Sequence, residues 1–442
     1  MDALLNVFVF FVLFASAAGS FVLTRRILNP VIILVASFFV PMWLASMRLS
    51  ALQSNSWDYD TVVVFLQSVG AWLIFPLCVL VSLRIGRKSD VANGLAAEDS
   101  VVRSMHFAIA ARIWAVLVLV GYLTSNYVQA HSLIPLFGDP EALYRAHNEF
   151  PPALRFFARG GPAAALLLYL CYFGGRRRVD LLLLGCMILL PMTRLSRIDV
   201  IMTFVGLAVL YGVRPLWKLR RIHVIVLIIV GCASVLGAIE LGNQRTNRFG
   251  TYSVSYEKAI GWKPAEAGPS GAFAVAYGYV PLSFENFDRY VNQAKYRKKT
   301  WGAMSLSWLF FGLKLNWIPG FGSLIEGADS FEPVSGAANV PTSLFPFYSD
   351  FGVFGVWLPM IVYMTVLCFF YSRSGRSYLW LALYGLYAGA FTLSGFQALI
   401  AAPIIFHQLV EIVVVFLVAQ SLSRRELTRQ KPAQLHRTAK DL

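Results

Sequence analysis

The sequence predicts an all-α polytopic membrane protein with about eleven transmembrane helices. Of its 442 residues, 57% are hydrophobic and only 14% are charged, whereas a soluble domain carries about 25% charged residues. The mean hydropathy is +0.63, and many apolar runs exceed the ~18 residues typical of a membrane span. These runs lack the alternating polarity, with segments of about 10 residues, that marks transmembrane strands. Composition and run length together therefore favour a helical bundle in a membrane.

Apolar runs define the predicted helices, and their lengths show which of them could cross a membrane. The pair at 179–193 and 198–213 is short for a hydrocarbon core of about 30 Å. This pair is expected either to cross with little tilt or to form a re-entrant hairpin, which would bring Arg194 and Arg197 into the bilayer. All the runs together cover residues 3–23, 27–47, 60–83, 107–128, 158–175, 179–193, 198–213, 222–240, 346–371, 378–397 and 400–420.

Basic residues in the short loops predict the orientation of the helices. When loops are assigned to alternate sides, most Lys and Arg fall on one side, which is cytoplasmic by the positive-inside rule. The amino terminus is then expected outside and the carboxyl terminus inside. The residues on the cytoplasmic side are Arg25 and Arg26; Arg84, Arg87, Lys88 and Arg103; Arg176, Arg177 and Arg178; Arg214, Lys218, Arg220 and Arg221; Arg373 and Arg376; and the tail from Arg424.

The net charge of +15 would favour a nucleic-acid partner if the protein were soluble. Here the basic residues lie in short loops beside apolar runs, so membrane lipids are the expected partners and nucleic acid is not. The first apolar run follows Met1 and Asp2 without a basic region, so it is expected to remain as a helix rather than to be cleaved as a signal.

Four segments follow from this organisation. Residues 1–240 are expected to form the first eight helices, and residues 346–421 the last three. Residues 241–345 form a large outer loop, which is rich in aromatic residues and is predicted to contain short interfacial helices. Residues 422–442 form a basic tail that is expected to be disordered.

Arg194 and Arg197 lie on the outer side, where the positive-inside rule disfavours them. Their spacing of three would place them on one helix face, and a guanidinium group binds phosphate through two parallel hydrogen bonds. The pair therefore suggests a bound anion at the outer mouth of the bundle. The alternative is that both side chains reach lipid headgroups or pair with Asp199.

A second outer arginine pair, Arg245 and Arg248, opens the large loop and follows Glu240 at the membrane edge. Two such pairs strengthen the prediction of an anion site, and Glu240 adds a carboxylate that could accept a proton. The alternative is a local ion pair at a helix end.

Aromatic and polar residues are mixed in the large loop around Tyr277, Glu285, Asn286 and Tyr290. Aromatic faces with nearby amides and carboxylates are typical of carbohydrate sites, although an amphipathic interfacial helix has the same composition. Tyr348 and Asp350 then lead into the ninth predicted helix. The intramembrane carboxylate of Asp350 is a candidate functional group, and the alternative is a charge that favours a helix amino terminus.

His407 and Glu411 are four residues apart in the last predicted helix and lie on one face. They could relay a proton, although an intramembrane histidine more often bonds a neighbouring helix. The five cysteines lie in apolar runs without a CxxC pair, and no zinc, Walker or dinucleotide motif is present. The sequence therefore predicts no metal and no cofactor.

The chain resembles the bacterial oligosaccharide repeat-unit polymerases, the O-antigen polymerase (Wzy-type) group. The resemblance rests on about a dozen predicted spans with a large outer loop before the last three. It also rests on four short motifs: Thr-Arg-Leu-Ser-Arg, Asn-Gln-Arg-Thr-Asn-Arg, Tyr-Val-Pro-Leu-Ser-Phe-Glu-Asn-Phe-Asp, and Thr-Ser-Leu-Phe-Pro-Phe-Tyr-Ser-Asp-Phe-Gly-Val-Phe-Gly.

The resemblance implies a metal-independent glycosyltransferase of the GT-C type at the periplasmic face of the bacterial inner membrane. It would move a growing glycan from undecaprenyl diphosphate onto a hydroxyl of a new lipid-linked repeat unit, with a chain-length regulator as a further partner. Arg194, Arg197, Arg245 and Arg248 would hold the diphosphate. Glu240 or Asp350 would accept the proton, and the glycan would pass Tyr277, Glu285, Asn286, Tyr290 and Tyr348.

Three other readings stay open. O-antigen ligases share the architecture, but they are thought to use an outer-loop histidine, and residues 241–345 contain none. If the protein is a transporter or flippase of anionic lipid-linked glycans, charged residues are expected along the midplane of the bundle. If it is a non-catalytic assembly or anchoring protein, no lipid groove is expected beside the arginines.

Overall fold

A computed structural model describes residues 3–85, 101–135, 156–175, 177–193, 196–213, 258, 260–263, 271–295, 297–312, 331–335 and 340–438. The regular elements within these ranges are helices, and Ser50 and Trp262 form an isolated antiparallel bridge. The predicted all-α class is therefore confirmed for the part of the chain that the structure describes.

Within the described ranges, fourteen helices are labelled α1 to α14 in chain order. The first seven are α1 Ala3–Thr24, α2 Pro30–Ser46, α3 Tyr59–Leu83, α4 Met105–Ala130, α5 Gly161–Gly175, α6 Arg178–Thr193 and α7 Arg197–Val213. The others are α8 Gly271–Tyr279, α9 Pro281–Ala294, α10 Ser307–Gly312, α11 Phe345–Gly355, α12 Trp357–Arg373, α13 Tyr378–Phe391 and α14 Pro403–Thr438. Both α2 and α3 contain a π-helical turn, at Val35–Phe39 and Val69–Ile74.

Local capping explains where several of these helices begin and end. Asn29 accepts hydrogen bonds from the first backbone N–H groups of α2, and Pro30 supplies a preset first residue. Asp58 caps α3 in the same way, and Ser104 caps α4. At the end of α4, His131 has a positive φ of 50°, the left-handed conformation that commonly terminates a helix.

Four described helices are long and apolar enough to cross a membrane, which is fewer than the eleven predicted. They are Val7–Thr24, Tyr59–Leu83, Met105–Ala130 and Pro403–Arg424. The difference arises because hydropathy counts every apolar run, whereas several runs form shorter helices of 10–17 residues. These are Pro30–Ser46, Gly161–Gly175, Ile198–Val213, Trp357–Arg373 and Tyr378–Phe391. The predicted run at 222–240 lies outside the described residues.

The short pair α6 and α7 has 16 and 17 residues. At 1.5 Å per residue each helix is about 25 Å long, less than a core of about 30 Å. The two helices pack against each other and against α5. The predicted short pair is thus present, and whether it crosses the membrane stays a prediction.

The chain divides into two compact units. Unit 1 comprises Met1–Gly86, Trp217–Phe369 and Tyr387–Phe406, and unit 2 comprises Arg87–Leu216, Phe370–Leu386 and His407–Leu442. These units follow contacts within the chain, so they do not test the four predicted segments, which were defined by position relative to a membrane.

Helix α5 is the core of unit 2. Each residue from Gly161 to Cys171 is buried, because α4, α6 and α7 pack around the helix. An apolar helix without a polar face is expected to be enclosed in this way. Around it, Val118, Tyr122, Leu168 and Met187 belong to one buried apolar cluster.

Helix α9 has the same central position in unit 1. It packs against α2, α3, α8 and α11, and its aromatic residues Phe284, Phe287 and Tyr290 are buried. The sequence offered an interfacial helix as one interpretation of this segment. In the structure its apolar face is covered by other helices of the same unit.

Candidate functional site

The four predicted phosphate-binding arginines fall mostly on residues that lie outside the description. Arg194, Arg245 and Arg248, together with the candidate base Glu240, are not among the described residues. Arg197 begins α7, and its side chain is not described. The structure nevertheless describes the surroundings of the α6–α7 joint, defined here as residues 193–199.

The α6–α7 joint contains a carboxylate held by two hydroxyl groups. Ser196 Oγ donates to Asp199 Oδ2 at 2.7 Å, and Tyr122 Oη donates to the same oxygen at 3.2 Å. Asp199 lies in the first turn of α7, where the helix dipole favours a negative charge. The sequence considered Asp199 only as a partner of the arginines, because Tyr122 is distant in the chain.

The joint lies against the amino-terminal end of α5. A Cβ on Gly161 would be 3.5 Å from the Tyr122 ring and 4.0 Å from Pro191 Cγ. The backbone of α5 therefore begins directly beside Pro191 and Tyr122, and Tyr122 is one of the two residues that donate to Asp199. No side chain at position 161 separates α5 from them.

The neighbouring glycine contacts a second carboxyl group. A Cβ on Gly160 would lie 2.7 Å from Glu411 Oε2 and 3.1 Å from Glu411 Oε1, so only a glycine leaves room there. Trp114 Nε1 donates to Glu411 Oε2 at 3.2 Å. Two adjacent glycines thus bring Glu411 and the Asp199 group to the same end of α5, although 212 positions separate them in sequence.

Residues near Glu411 on α14 contact the segment before α5. Gln408 Nε2 donates to the Arg159 carbonyl oxygen at 2.5 Å, and the His407 ring is 5.4 Å from that of Phe156. His407 therefore packs on an aromatic ring of the residues before α5. The predicted relay from His407 to Glu411 stays a prediction.

A buried ion pair joins α4 to α6 elsewhere in unit 2. Arg112 donates to both oxygens of Asp180, at 2.7 Å and 3.1 Å, and the Asp180 side chain is completely buried. This bidentate geometry is the strongest pairing of these groups. The pair explains how apolar helices retain the charged side chain of Arg112.

In unit 1, the predicted glycan-binding residue Glu285 holds the segment before α3. Its carboxylate accepts hydrogen bonds from Ser54 N at 2.7 Å and from Trp57 Nε1 at 3.1 Å. One turn later, Asp288 accepts from Asp58 N at 2.8 Å. The two carboxylates of α9 therefore fix residues 54–58 against this helix.

Asn286 and Tyr277 have comparable internal contacts. Asn286 bonds the backbone of Val334 and Val340, at 2.9 Å and 3.1 Å. Tyr277 Oη donates to Gln53 Oε1 at 2.7 Å and accepts from Leu49 N at 3.1 Å. Burial raises the pKa of Tyr277 to about 12, so this phenol remains a hydrogen-bond donor at neutral pH.

Tyr290 and Tyr348 belong to an aromatic cluster between α9 and α11. Tyr290 lies edge-on to Phe345 and Tyr348, with ring centroids 4.6 Å and 6.1 Å apart. The structure thus brings the five predicted glycan-binding residues into one unit, where their described contacts hold neighbouring segments of the protein together.

Asp350, a predicted proton acceptor, is 0% exposed and holds a tight turn. Thr300 donates its hydroxyl to Asp350 Oδ1, Met304 N donates to the same oxygen at 3.0 Å, and Ser305 N donates to Oδ2 at 2.6 Å. The turn projects Trp301, which has a φ of 48° and is 72% exposed. These contacts indicate that Asp350 holds the turn in position.

A mixed-charge cluster in unit 1 was not predicted. Lys295 Nζ is 4.0 Å from both Asp58 and Asp60, and Lys299 Nζ lies 4.6 Å above the Tyr348 ring. Burial lowers the pKa of Lys299, and Asp60 opposes this effect. Gly352, with a φ of 65°, leaves space for Lys299 because a Cβ would be 3.0 Å from its Cε. The sequence signal for this cluster is the pair of acidic residues Asp58 and Asp60, together with the basic residues within 295–299.

Within the described ranges, no group of three or more His, Cys, Asp or Glu residues is arranged to hold a metal ion.

Comparisons with family models, with curated proteins and with solved structures give no match to this chain.

Proposed function

We propose that the protein is a metal-independent membrane glycosyltransferase that polymerises oligosaccharide repeat units linked to undecaprenyl diphosphate. The growing glycan would be transferred from its lipid diphosphate to a terminal sugar hydroxyl of a new lipid-linked unit. The proposal combines the resemblance of the sequence motifs with the chemistry available at the α6–α7 joint.

The observation that supports the proposal most directly is the carboxylate at this joint. Asp199 is two residues from Arg197 and is held by Ser196 and Tyr122. A joint that carries arginines and an oriented carboxylate has the two charges that glycosyl transfer from a diphosphate requires. The arginines would neutralise the leaving group, and a carboxylate would accept a proton.

In the proposed reaction the acceptor hydroxyl oxygen bonds to the anomeric carbon of the growing glycan. The bond from this carbon to the phosphate oxygen breaks, and its electron pair stays on the diphosphate. Arg194, Arg197, Arg245 and Arg248 are proposed to stabilise that charge through bidentate hydrogen bonds. The hydroxyl proton passes to a carboxylate, for which Glu240 and Asp350 remain the candidates from sequence and Asp199 is added here.

The α9 region of unit 1 is proposed to form the glycan path. Tyr277, Glu285, Asn286, Tyr290 and Tyr348 would shape its wall, since their described contacts hold neighbouring segments in place. The groups more open to a sugar are Asp58, Asp60, Lys295 and Lys299, which are half-buried or exposed.

The proposal places the reaction at the periplasmic face of the bacterial inner membrane. The amino terminus would be periplasmic and the carboxyl terminus cytoplasmic, as the loop charges predict. A chain-length regulator would be a further partner. Four apolar helices of sufficient length and five shorter ones support insertion in a membrane.

Substitution of the joint arginines tests the proposed function. Arg194→Ala is expected to reduce the yield of long glycan chains about 100-fold or more, because one donor to the leaving charge is lost. Arg194→Lys should also be weak, since an ammonium group cannot replace the planar fork. Chain lengths are measured by gel electrophoresis after expression in cells that lack the native gene, with protein levels checked in the membrane.

The matched control is Arg178→Ala, which removes an exposed arginine at the other end of α6. It should leave chain length unchanged. Normal chains in both Arg194→Ala and Arg245→Ala would contradict the proposed function.

A transporter of anionic lipid-linked glycans is the second candidate. The buried Arg112–Asp180 pair and Glu411 favour it, because ionisable groups among apolar helices often mark transport pathways. Purified protein in detergent separates the two functions. Elongation of a lipid-diphosphate-linked oligosaccharide without a second compartment requires a transferase, whereas its absence with vesicle uptake intact would favour transport.

A further inference from the structure

Two acceptor oxygens buried on α14 have no hydrogen-bond partner within the described part of the chain. They are Gln408 Oε1 and Glu411 Oε1, and each residue is 1% exposed. The other polar atom of each side chain is occupied, since Gln408 Nε2 donates to Arg159 O and Glu411 Oε2 accepts from Trp114 Nε1. The bond to Arg159 fixes the orientation of the amide, so its oxygen is the orphan.

The two orphan oxygens belong to residues three apart on one helix, a spacing at which side chains meet. Gly160 closes the site on one side, because its backbone approaches both carboxyl oxygens of Glu411. An unpaired buried acceptor costs about 1–3 kcal/mol, and two on adjacent groups indicate a donor or cation that both would share.

The surroundings of Glu411 supply little positive charge. Trp114 from α4 is a neutral donor, and no ion pair reaches Glu411 among the described residues. His407 lies one turn away on α14, and Arg159 precedes Gly160. Arg112, two residues before Trp114, is committed to Asp180. A buried carboxylate with a single neutral donor is strongly disfavoured relative to its neutral form.

We propose that Glu411 and Gln408 form a buried proton-binding site, in which Glu411 holds a proton on Oε1 and donates it to Gln408 Oε1. One proton satisfies both orphan oxygens and removes the unpaired charge. The packing of α14 on Gly160 is thereby linked to the protonation of Glu411. This proposal does not rest on the proposed glycosyltransferase function.

Isosteric substitution distinguishes the protonated acid from a charged carboxylate. In Glu411→Gln the amide oxygen accepts from Trp114 and the amide nitrogen donates to Gln408, as the proposed acid does. The melting temperature of the full chain in detergent at neutral pH is therefore expected to match the wild type. Glu411→Ala removes both bonds and should lower it. Equal losses in Glu411→Gln and Glu411→Ala would overturn the proposal.

Infrared spectroscopy reports on the proton directly. The wild-type minus Glu411→Gln difference spectrum should contain the C=O stretch of a protonated carboxyl group, which shifts in D2O and changes frequency in Gln408→Leu. Asp180→Asn is the control, because a carboxylate paired with arginine has no such band. The absence of the band from the Glu411 difference spectrum would also overturn the proposal.

A bound metal cation is the alternative outcome. Titration with NaCl and with choline chloride at equal ionic strength separates it from the proton. The proton predicts equal melting curves in both salts. A stabilisation specific to Na⁺ that Glu411→Gln abolishes would assign the orphan oxygens to a cation instead.

Discussion

A completely buried carboxylate persists in a protein only where hydrogen bonds compensate its lost hydration. Asp350 meets this condition through Thr300, Met304 and Ser305. Its bonds cross about 45 residues of sequence and define a turn that no local pattern predicts. The sequence identified Asp350 as a candidate functional carboxylate, but only the folded structure shows which groups donate hydrogen bonds to it.

Asp350→Asn is expected to destabilise unit 1 by about 1.5–3 kcal/mol, because the amide nitrogen would oppose one backbone donor. The measurement is thermal unfolding of the full chain in detergent. Asp60→Asn is the control and should have little effect on stability. Its ion pair with the partly exposed Lys295 is long, at 4.0 Å, and such pairs contribute little. Loss of glycan synthesis without loss of stability would indicate a chemical role for Asp350 rather than a positioning role.

Asp288 is expected to make the stability of the protein depend on pH. Burial raises the pKa of this carboxyl above its usual value of 3.8, and the Asp58 backbone bond opposes the shift. The folded protein therefore holds the proton to higher pH than the unfolded chain does. As the pH rises through the carboxyl range, the free energy of unfolding contributed by this group decreases.

Asp288→Asn should remove this decrease while keeping an oxygen that accepts from Asp58 N. The stability of the variant relative to wild type is thus expected to improve from acid to neutral pH. Melting temperatures across this range, compared with the exposed control Glu332→Gln, measure the effect. A constant difference at every pH would show that Asp288 does not titrate differently on folding.

Among the elements, helices α7 and α13 approach each other through glycines. A Cβ on Gly385 would lie 2.8 Å from Leu210 Cδ1 and 3.1 Å from the Gly206 carbonyl oxygen. A Cβ on Gly206 would lie 2.9 Å from a methyl group of Leu166. Small residues allow such close packing between apolar helices, and backbone atoms cannot move aside as a flexible side chain can.

Gly385→Ala is therefore expected to cost about 1–3 kcal/mol through overpacking. Gly185→Ala in α6 is the matched control, because no atom lies within 4 Å of its Cβ position. That change should stabilise the helix by roughly 0.5–1 kcal/mol. The melting temperatures of the two variants should shift in opposite directions. Shifts of the same sign would contradict the close packing of α7 against α13.

The segment that forms α9 shows that the type of an element and its location are separate questions. The sequence offered an amphipathic interfacial helix as one of two interpretations of this segment, and the structure has a helix of amphipathic periodicity at Pro281–Ala294. The same periodicity fits a membrane surface and a protein interior, because both offer an apolar contact to one face. Helices α2, α3 and α11 pack against α9, so its apolar face lies in the protein interior.

For the whole molecule, the positive-inside rule and the helix lengths give different numbers of crossings. Four long helices alone would leave both termini on one side, whereas the loop charges place them on opposite sides. An odd number of additional segments, from the shorter helices or the residues outside the description, is then required to cross.

Reporter fusions at each terminus test this expectation. A periplasmic reporter should be active at the amino terminus and a cytoplasmic reporter at the carboxyl terminus. The control is a fusion after Arg178, in a loop that the same rule assigns to the cytoplasm. Both termini on one side would contradict the predicted orientation and favour the four long helices as the complete set.

The sequence by itself determined the all-helical class, the apolar runs and the polar residues that interrupt them, because hydropathy and helix periodicity are local properties. It also singled out Arg197, Asp199, Glu285, Asp350 and Glu411 as polar groups of interest. Only the tertiary structure decided which of these meet. Glycines 160 and 161 bring Glu411 and Asp199 to one end of α5, and Asp350 reaches the 300–305 turn, because such contacts depend on packing between distant segments. Helix length, too, was decided by packing and capping, since an apolar run limits a helix without specifying where it ends.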